Sequence, residues 1–280
     1  MKPALITVVN PQDNDVIGDQ LIYYKNIGIS NFYVMLHMPD FTLMSICESF
    51  RDKFSELNIN LFINSKPEHH HEKDCKKLSD SALEDGCDWI IGSDADELLI
   101  LKRHKTIQEF LSEYNKTEIV LHFKWIDYRA DKDIYTDAFI NMKYRCKDYM
   151  DVTDAGWIKT CGKFNDKMSF ITGFHNIEGC DNIIKINPEI AFFAHFPERN
   201  FEQYDSKTKL QRKNWINKYG FFYMDKDLEK DPDFLKKIWP DRLITINGQR
   251  QICNNDKSLK DNNKMEYVFD PIPEDLFRND

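Results

Sequence analysis

The chain has 280 residues, 41% of them hydrophobic, and its 47 acidic against 38 basic residues give a formal charge of -9. That length supports one large domain or two small ones with a sizeable core, and the acidic balance excludes long-range attraction to nucleic acid unless a basic face is strongly segregated. Seven cysteines, odd in number and without a CxxC pair, speak against a disulfide framework and for a reducing cytoplasm. The opening apolar run, residues 3–9, is too short for a signal-peptide core or a membrane span.

Ala4-Leu-Ile-Thr-Val-Val9 is β-branched and uninterrupted, which predicts a first strand. Ile17, Leu21, Tyr24 and Gly28 then recur at helical spacing. Residues 32–36 predict a second strand, 43–57 a second helix and 59–63 a third strand. Cys75, Leu78 and Ala82 line one face of a third helix, and Asp88-Trp-Ile-Ile-Gly92 predicts a fourth strand. Parallel strands need crossovers of this length, so the first hundred residues predict a parallel α/β sheet with helices on both faces. Further strands are expected over 118–123, 183–186 and 190–193. From Asn200 onward the chain turns helix-rich, then dense in Asn, Asp and Lys. The expected division is a catalytic domain over 1–215 and an extension over 216–280.

Open α/β sheets bind ligands at the carboxyl ends of their strands, and Asp94 and Asp96 fall at such an end. Successive side chains of a strand alternate in direction, so these aspartates can share a ligand only if the chain turns there; Gly92 and Ser93 allow it. A hard divalent cation takes one or two carboxylates and leaves positions for water and phosphate oxygens. Taken alone, the triplet reads more readily as the cap of a following helix. The tract His69-His-His71 reads as a solvated loop, because three adjacent imidazoles cannot face one ion on a regular backbone. The cations Lys207, Lys209, Arg212, Lys213 and Lys218 read as a solvated helix face. Trp125 and Trp157 could stack on a sugar or fill the core.

Asp88-Trp-Ile-Ile-Gly-Ser-Asp-Ala-Asp-Glu-Leu-Leu99 resembles the DW…D-x-D-E segment of small glycosyltransferases of the family 2-like group. Val9-Asn10 with Tyr24-Lys-Asn-Ile-Gly-Ile-Ser-Asn-Phe-Tyr-Val34 is similar to that group's opening, with Pro11 in place of Glu, Tyr24 in place of His, and no Asp-x-x-Ser turn at Met35 to Pro39. His195-Phe-Pro-Glu-Arg-Asn-Phe-Glu-Gln-Tyr-Asp-Ser-Lys207 is similar to its H-Y-x-x-R-S-x-E-x-F-x-x-K block. These blocks cover roughly the first 215 residues in consistent order. Looser likeness places the segment Gly156 to Lys163 and the segment Ile171 to Glu178 on the acceptor side.

The resemblance implies a GT-A, Rossmann-like nucleotide-diphospho-sugar transferase fold: a mixed, mainly parallel sheet with helices on both faces and a helix-rich C-terminal part. It implies a glycosyltransferase taking a UDP- or GDP-type sugar donor and a glycan or lipid-linked acceptor, cytoplasmic, in peripheral contact with a membrane that carries the acceptor. Mn²⁺ or Mg²⁺ would be held by Asp94, Asp96 and His195. Substrate contacts would come from Asn10, Lys76, Asp80, Asp94, Trp157, His175, Arg199 and Lys207. An inverting enzyme also needs a base, with Glu178, Asp181 and Asp154 as candidates. The rival expectations are a nucleotidyltransferase and a catalytically silent sugar-nucleotide-binding protein. The Lys/Asn-rich composition suggests, by analogy, a microbial or viral enzyme that elaborates surface glycan.

Overall fold

The computed structural model describes residues 1–66, 71–114, 118–146, 158–171, 173–219, 224–231, 233–243, 249–250 and 265–278. In chain order the elements are β1 (Pro3–Val9), α1 (Ile17–Asn26), β2 (Asn31–His37), α2 (Phe41–Lys53), β3 (Asn58–Asn64), α3 (His71–Glu84), β4 (Trp89–Gly92), β5 (Glu97–Leu101), α4 (Ile107–Ser112), β6 (Ile119–Arg129), α5 (Ala138–Asn141), β7 (Tyr144–Cys146), β8 (Ile158–Lys163), β9 (Ser169–Ile171), β10 (Asn176–Glu178), β11 (Ile183–Lys185), β12 (Ala191–His195), α6 (Phe201–Tyr219), α7 (Asp225–Lys230), α8 (Phe234–Ile238), β13 (Gln249–Arg250) and β14 (Met265–Phe269). They fall into two compact units. The first comprises Met1–Ile126, Met150–His195 and Pro273–Asp280, and the second Asp127–Tyr149 and Phe196–Ile272. The chain thus passes between the units more than once.

In the first unit β1 pairs in parallel with β2 and β4, and β2 with β3, giving the order β3-β2-β1-β4. β1 and β2 are buried along their whole length, the pattern of strands covered on both faces. α3 buries Cys75, Leu78 and Ala82 against Ala4, Ile6 and Val8 of β1 and Tyr33 and Met35 of β2. α1 packs against α2 and β5. Asp40 caps α2, its carboxylate accepting from the Leu43 amide at 2.8 Å.

Beyond β4 the sheet turns antiparallel: β8 runs antiparallel to both β4 and β6, and β11 lies parallel to β6. The mixed, mainly parallel sheet expected from the sequence is therefore the one observed. Lys163 stands opposite both Trp89 and Ile119, so the amino ends of β4 and β6 share one edge. Asp94 and Asp96 lie beyond the other edge.

The second unit has its own apolar cluster of Tyr204, Met224, Leu235 and Trp239. Arg129 is paired there with Asp127 at 2.7 Å and Glu198 at 2.6 Å. β7 joins the end of β6 to β14. No helix among the described residues is long and apolar enough to cross a membrane.

Candidate active site

The site begins where β4, buried throughout, ends at Gly92. A Cβ at this position would run into the Phe174 ring, so glycine is dictated by close approach of a neighbour. Ser93 to Asp96 turn the chain, and Glu97 opens β5. A strand follows the aspartates, not a helix, which removes the capping explanation. α1 clamps the turn. The Gln20 amide donates to the carbonyls of Asp94 (2.5 Å) and Glu97 (3.1 Å), and the Tyr24 hydroxyl donates to Ser93 Oγ (3.0 Å) while accepting from the Leu99 amide (3.1 Å).

β12 returns antiparallel to β5 and sets His195 directly opposite Glu97. Its partner is the strand after the aspartates, so the imidazole meets the turn across one strand pair. His195 Nε2 lies 3.8 Å from Asp96 Oδ2, with the two side chains 11% and 9% exposed. One ligand atom from each of Asp96, Glu97 and His195 lies within 4.8 Å of the others. Two carboxylate oxygens and one imidazole nitrogen form a donor set that fits Mn²⁺ or Mg²⁺.

Asp94 is engaged elsewhere. Lys159 Nζ is 2.6 Å from Asp94 Oδ2 and 2.9 Å from Glu97 Oε1, and it donates to the Gly173 carbonyl at 2.9 Å. The ammonium is wholly buried. Burial raises the Asp94 carboxyl, but Lys159, followed by His71, more than offsets this and holds it well below the usual carboxylate range. Burial likewise acts against the Lys159 charge, and Asp94 and Glu97 outweigh it, holding the ammonium above its usual range. Glu97 goes the other way: burial pushes it up against the pull of Lys159, with Asp94 and Asp96 adding to the rise.

The His71 imidazole lies 3.7 Å from Asp94 Oδ1 and 3.3 Å from Cys75 Sγ, and packs edge-on against Phe174. This corrects the expectation of a solvated loop, because helix α3 begins at His71 and turns that one histidine of the tract toward the sheet. Trp125 stacks on His195 with ring centroids 4.2 Å apart at 32°, and meets His175 edge-on at 5.3 Å. His175 Nδ1 donates to the Ile158 carbonyl at 2.6 Å. Burial, followed by the nearby Lys159 charge, pulls His175 down to about 4. Its contribution to stability is thus complete above about pH 6.5 and lost as pH falls through about 4. Nitrogen NMR of the histidines should find His175 as the Nδ1–H tautomer titrating near pH 4; a midpoint near 6.5 would contradict this environment.

The remaining expected residues are dispersed. Asn10 follows β1, and its Oδ1 lies 2.9 Å from His37 Nδ1 at the end of β2. Lys76 and Asp80 pair with each other on the half-exposed surface of α3. Asp181 is exposed beside Asn182, whose carbonyl accepts from the Val120 amide at 2.9 Å, which places it at the amino end of β6, the opposite edge of the sheet. Glu178 is also exposed, and the chain has run along β8 to reach it, from Phe174 beside Thr160 to Ile177 beside Gly162. The structure brings neither carboxylate to the cluster. Asp154 and Trp157 lie outside the described residues. Within the second unit, Arg199 is fully buried and donates to the Phe196 carbonyl at 3.0 Å, and Lys207 donates to the Pro197 carbonyl at 3.4 Å.

No family model matches the chain, and none of the curated proteins does. Among solved structures it is similar to S. aureus TarS 1–349 (12% identity, TM-score 0.44, covering 78% of this chain and 66% of that one). The same protein in complex with UDP-GlcNAc gives 11% identity and a TM-score of 0.45, over 78% of this chain and 67% of that one. HddC from Yersinia pseudotuberculosis gives 11% identity and a TM-score of 0.37, over 72% of this chain and 96% of that one. The chain thus spans about two thirds of the TarS 1–349 structures.

Proposed function

We propose that this chain is a metal-dependent glycosyltransferase of the GT-A type, moving a sugar from a UDP- or GDP-type donor to a hydroxyl of a glycan or lipid-linked acceptor with inversion. The observation that carries the reading is the meeting of Asp96, Glu97 and His195 at the carboxyl edge of a parallel sheet, where open α/β folds take their ligands. A divalent ion held by these residues would neutralise the charge that develops on a departing nucleoside diphosphate. The chain's own work is to hold the carboxylates ready. Gln20 and Tyr24 fix the turn that carries Asp96, and Lys159 balances Asp94 and Glu97 beside it.

A nucleotidyltransferase would use a similar cluster but also a Gly-rich, cation-bearing phosphate loop after its first strand. Here β1 runs into the short turn Pro11–Asp13, and residues 10–15 contain neither glycine nor a cation.

Calorimetry with a panel of UDP- and GDP-sugars and Mn²⁺, followed by assays of donor hydrolysis, tests the reading. Binding without turnover of any donor would favour a silent binding protein. Ethylenediaminetetraacetate is expected to abolish turnover, and Mn²⁺ or Mg²⁺ to restore it, with Zn²⁺ restoring little. Full activity in the chelator would rule out the metal.

A further inference from the structure

The geometry points to His175 as the general base that takes the proton from the acceptor hydroxyl, in place of the carboxylate that the sequence led us to expect. This rests on the glycosyltransferase reading and extends it. His175 Nδ1 is committed to the Ile158 carbonyl at 2.6 Å. That bond leaves the lone pair of Nε2 as the ring's basic site, the arrangement by which a backbone acceptor sets the tautomer of a catalytic imidazole. The side chain is only partly buried and not sealed in the core.

Its place is set by the Trp125 ring, which contacts both His195, tilted against it at 4.2 Å, and His175, edge-on at 5.3 Å. The two imidazoles are therefore no further apart than these two spans laid end to end. One belongs to the cluster that would face the leaving diphosphate; the other shares the same tryptophan without belonging to that cluster. An in-line displacement needs a base that is distinct from the metal cluster yet close to it, because leaving group and incoming oxygen lie on opposite sides of the anomeric carbon. The carboxylates of the cluster are poorly placed for the task, since Asp94 and Glu97 are tied to Lys159 and Asp96 faces His195. Glu178 and Asp181 lie toward the far edge of the sheet.

The charged and titratable groups that act on His175 are Lys159 of β8, Asp94 of the turn and His195 of β12. With burial, the Lys159 charge keeps the ring unprotonated at neutral pH and so ready to accept. In the step itself the acceptor oxygen bonds to the anomeric carbon as its proton passes to Nε2. The bond from that carbon to the diphosphate oxygen breaks, its electron pair leaving on the nucleoside diphosphate. The imidazolium then gives its proton to water.

Donor hydrolysis, with water as the acceptor, tests this without knowledge of the natural acceptor. His175→Ala is expected to lower kcat by at least about 100-fold, with donor affinity by calorimetry within about twofold of wild type and partial rescue by added imidazole. His175→Gln, whose amide can keep the bond to the Ile158 carbonyl, should lose kcat equally while melting with the wild type. Retention of kcat within tenfold in either variant would overturn the assignment. So would a loss wholly explained by weaker donor binding, or loss in Asp154→Asn with the His175 variants intact. A wild-type protein that binds and hydrolyses no donor of the panel would bring down the glycosyltransferase reading, and the base with it.

Discussion

Replacing Lys159 by methionine is expected to destabilise the fold by about 3–5 kcal/mol, the range for breaking a buried ion pair by removing one partner. Methionine is close in volume and keeps the packing against Trp125 and Phe174, over whose rings the ammonium lies at 5.6 and 5.8 Å. What it removes is the charge that two carboxylates share. Asp94 is about a third exposed, its side chain 35% open to solvent, so water can take over part of its loss. Glu97 is 1% exposed and, already pushed up by burial, can meet the loss only by taking up a proton. Adding Glu97→Gln to Lys159→Met should therefore recover a large part of the loss, because a neutral amide needs neither a cation nor a proton at that buried position. Urea unfolding of the single and double variants measures both effects. A Lys159→Met protein within about 1 kcal/mol of wild type would mean that the triad does not hold the site together.

Asp96→Asn should leave the melting temperature close to wild type and weaken metal-dependent donor binding at least tenfold, or about 1.4 kcal/mol. The change is nearly isosteric, and the turn is fixed by bonds from Gln20 and Tyr24 that do not involve the Asp96 side chain. The charge facing His195 is lost. His195→Ala should raise the Mn²⁺ concentration needed for half-maximal binding, and the double variant should lose less than the sum, because both residues act through one ion. Titration of Mn²⁺ followed by UDP- and GDP-sugars reads each quantity. Wild-type affinity for both in Asp96→Asn would remove the cluster from the function.

The sequence alone was enough for the parallel half of the fold. Uninterrupted apolar runs such as Ala4 to Val9 and helical spacing such as Cys75, Leu78 and Ala82 are local patterns, and crossover length then dictates parallel pairing. It was also enough to place Asp94 and Asp96 at a strand end. Which groups meet there is a matter of register and of helix starts, and these depend on contacts between segments remote in the chain. That Glu97 completes the group with Asp96 and His195 follows from β12 pairing antiparallel with β5 in one register. That Asp94 turns to Lys159 follows from β8 lying antiparallel beside β4, and no pattern within residues 158–163 marks that lysine as buried. His71 reaches Asp94 because α3 starts one turn earlier than its apolar spacing shows. Glu178 and Asp181 look equivalent to His175 as near neighbours in sequence, yet the chain carries them along β8 to the opposite edge of the sheet. A strand advances about 3.3 Å per residue, so a few positions of sequence separate a residue at the site from one that cannot reach it, and only the tertiary pairing decides which is which.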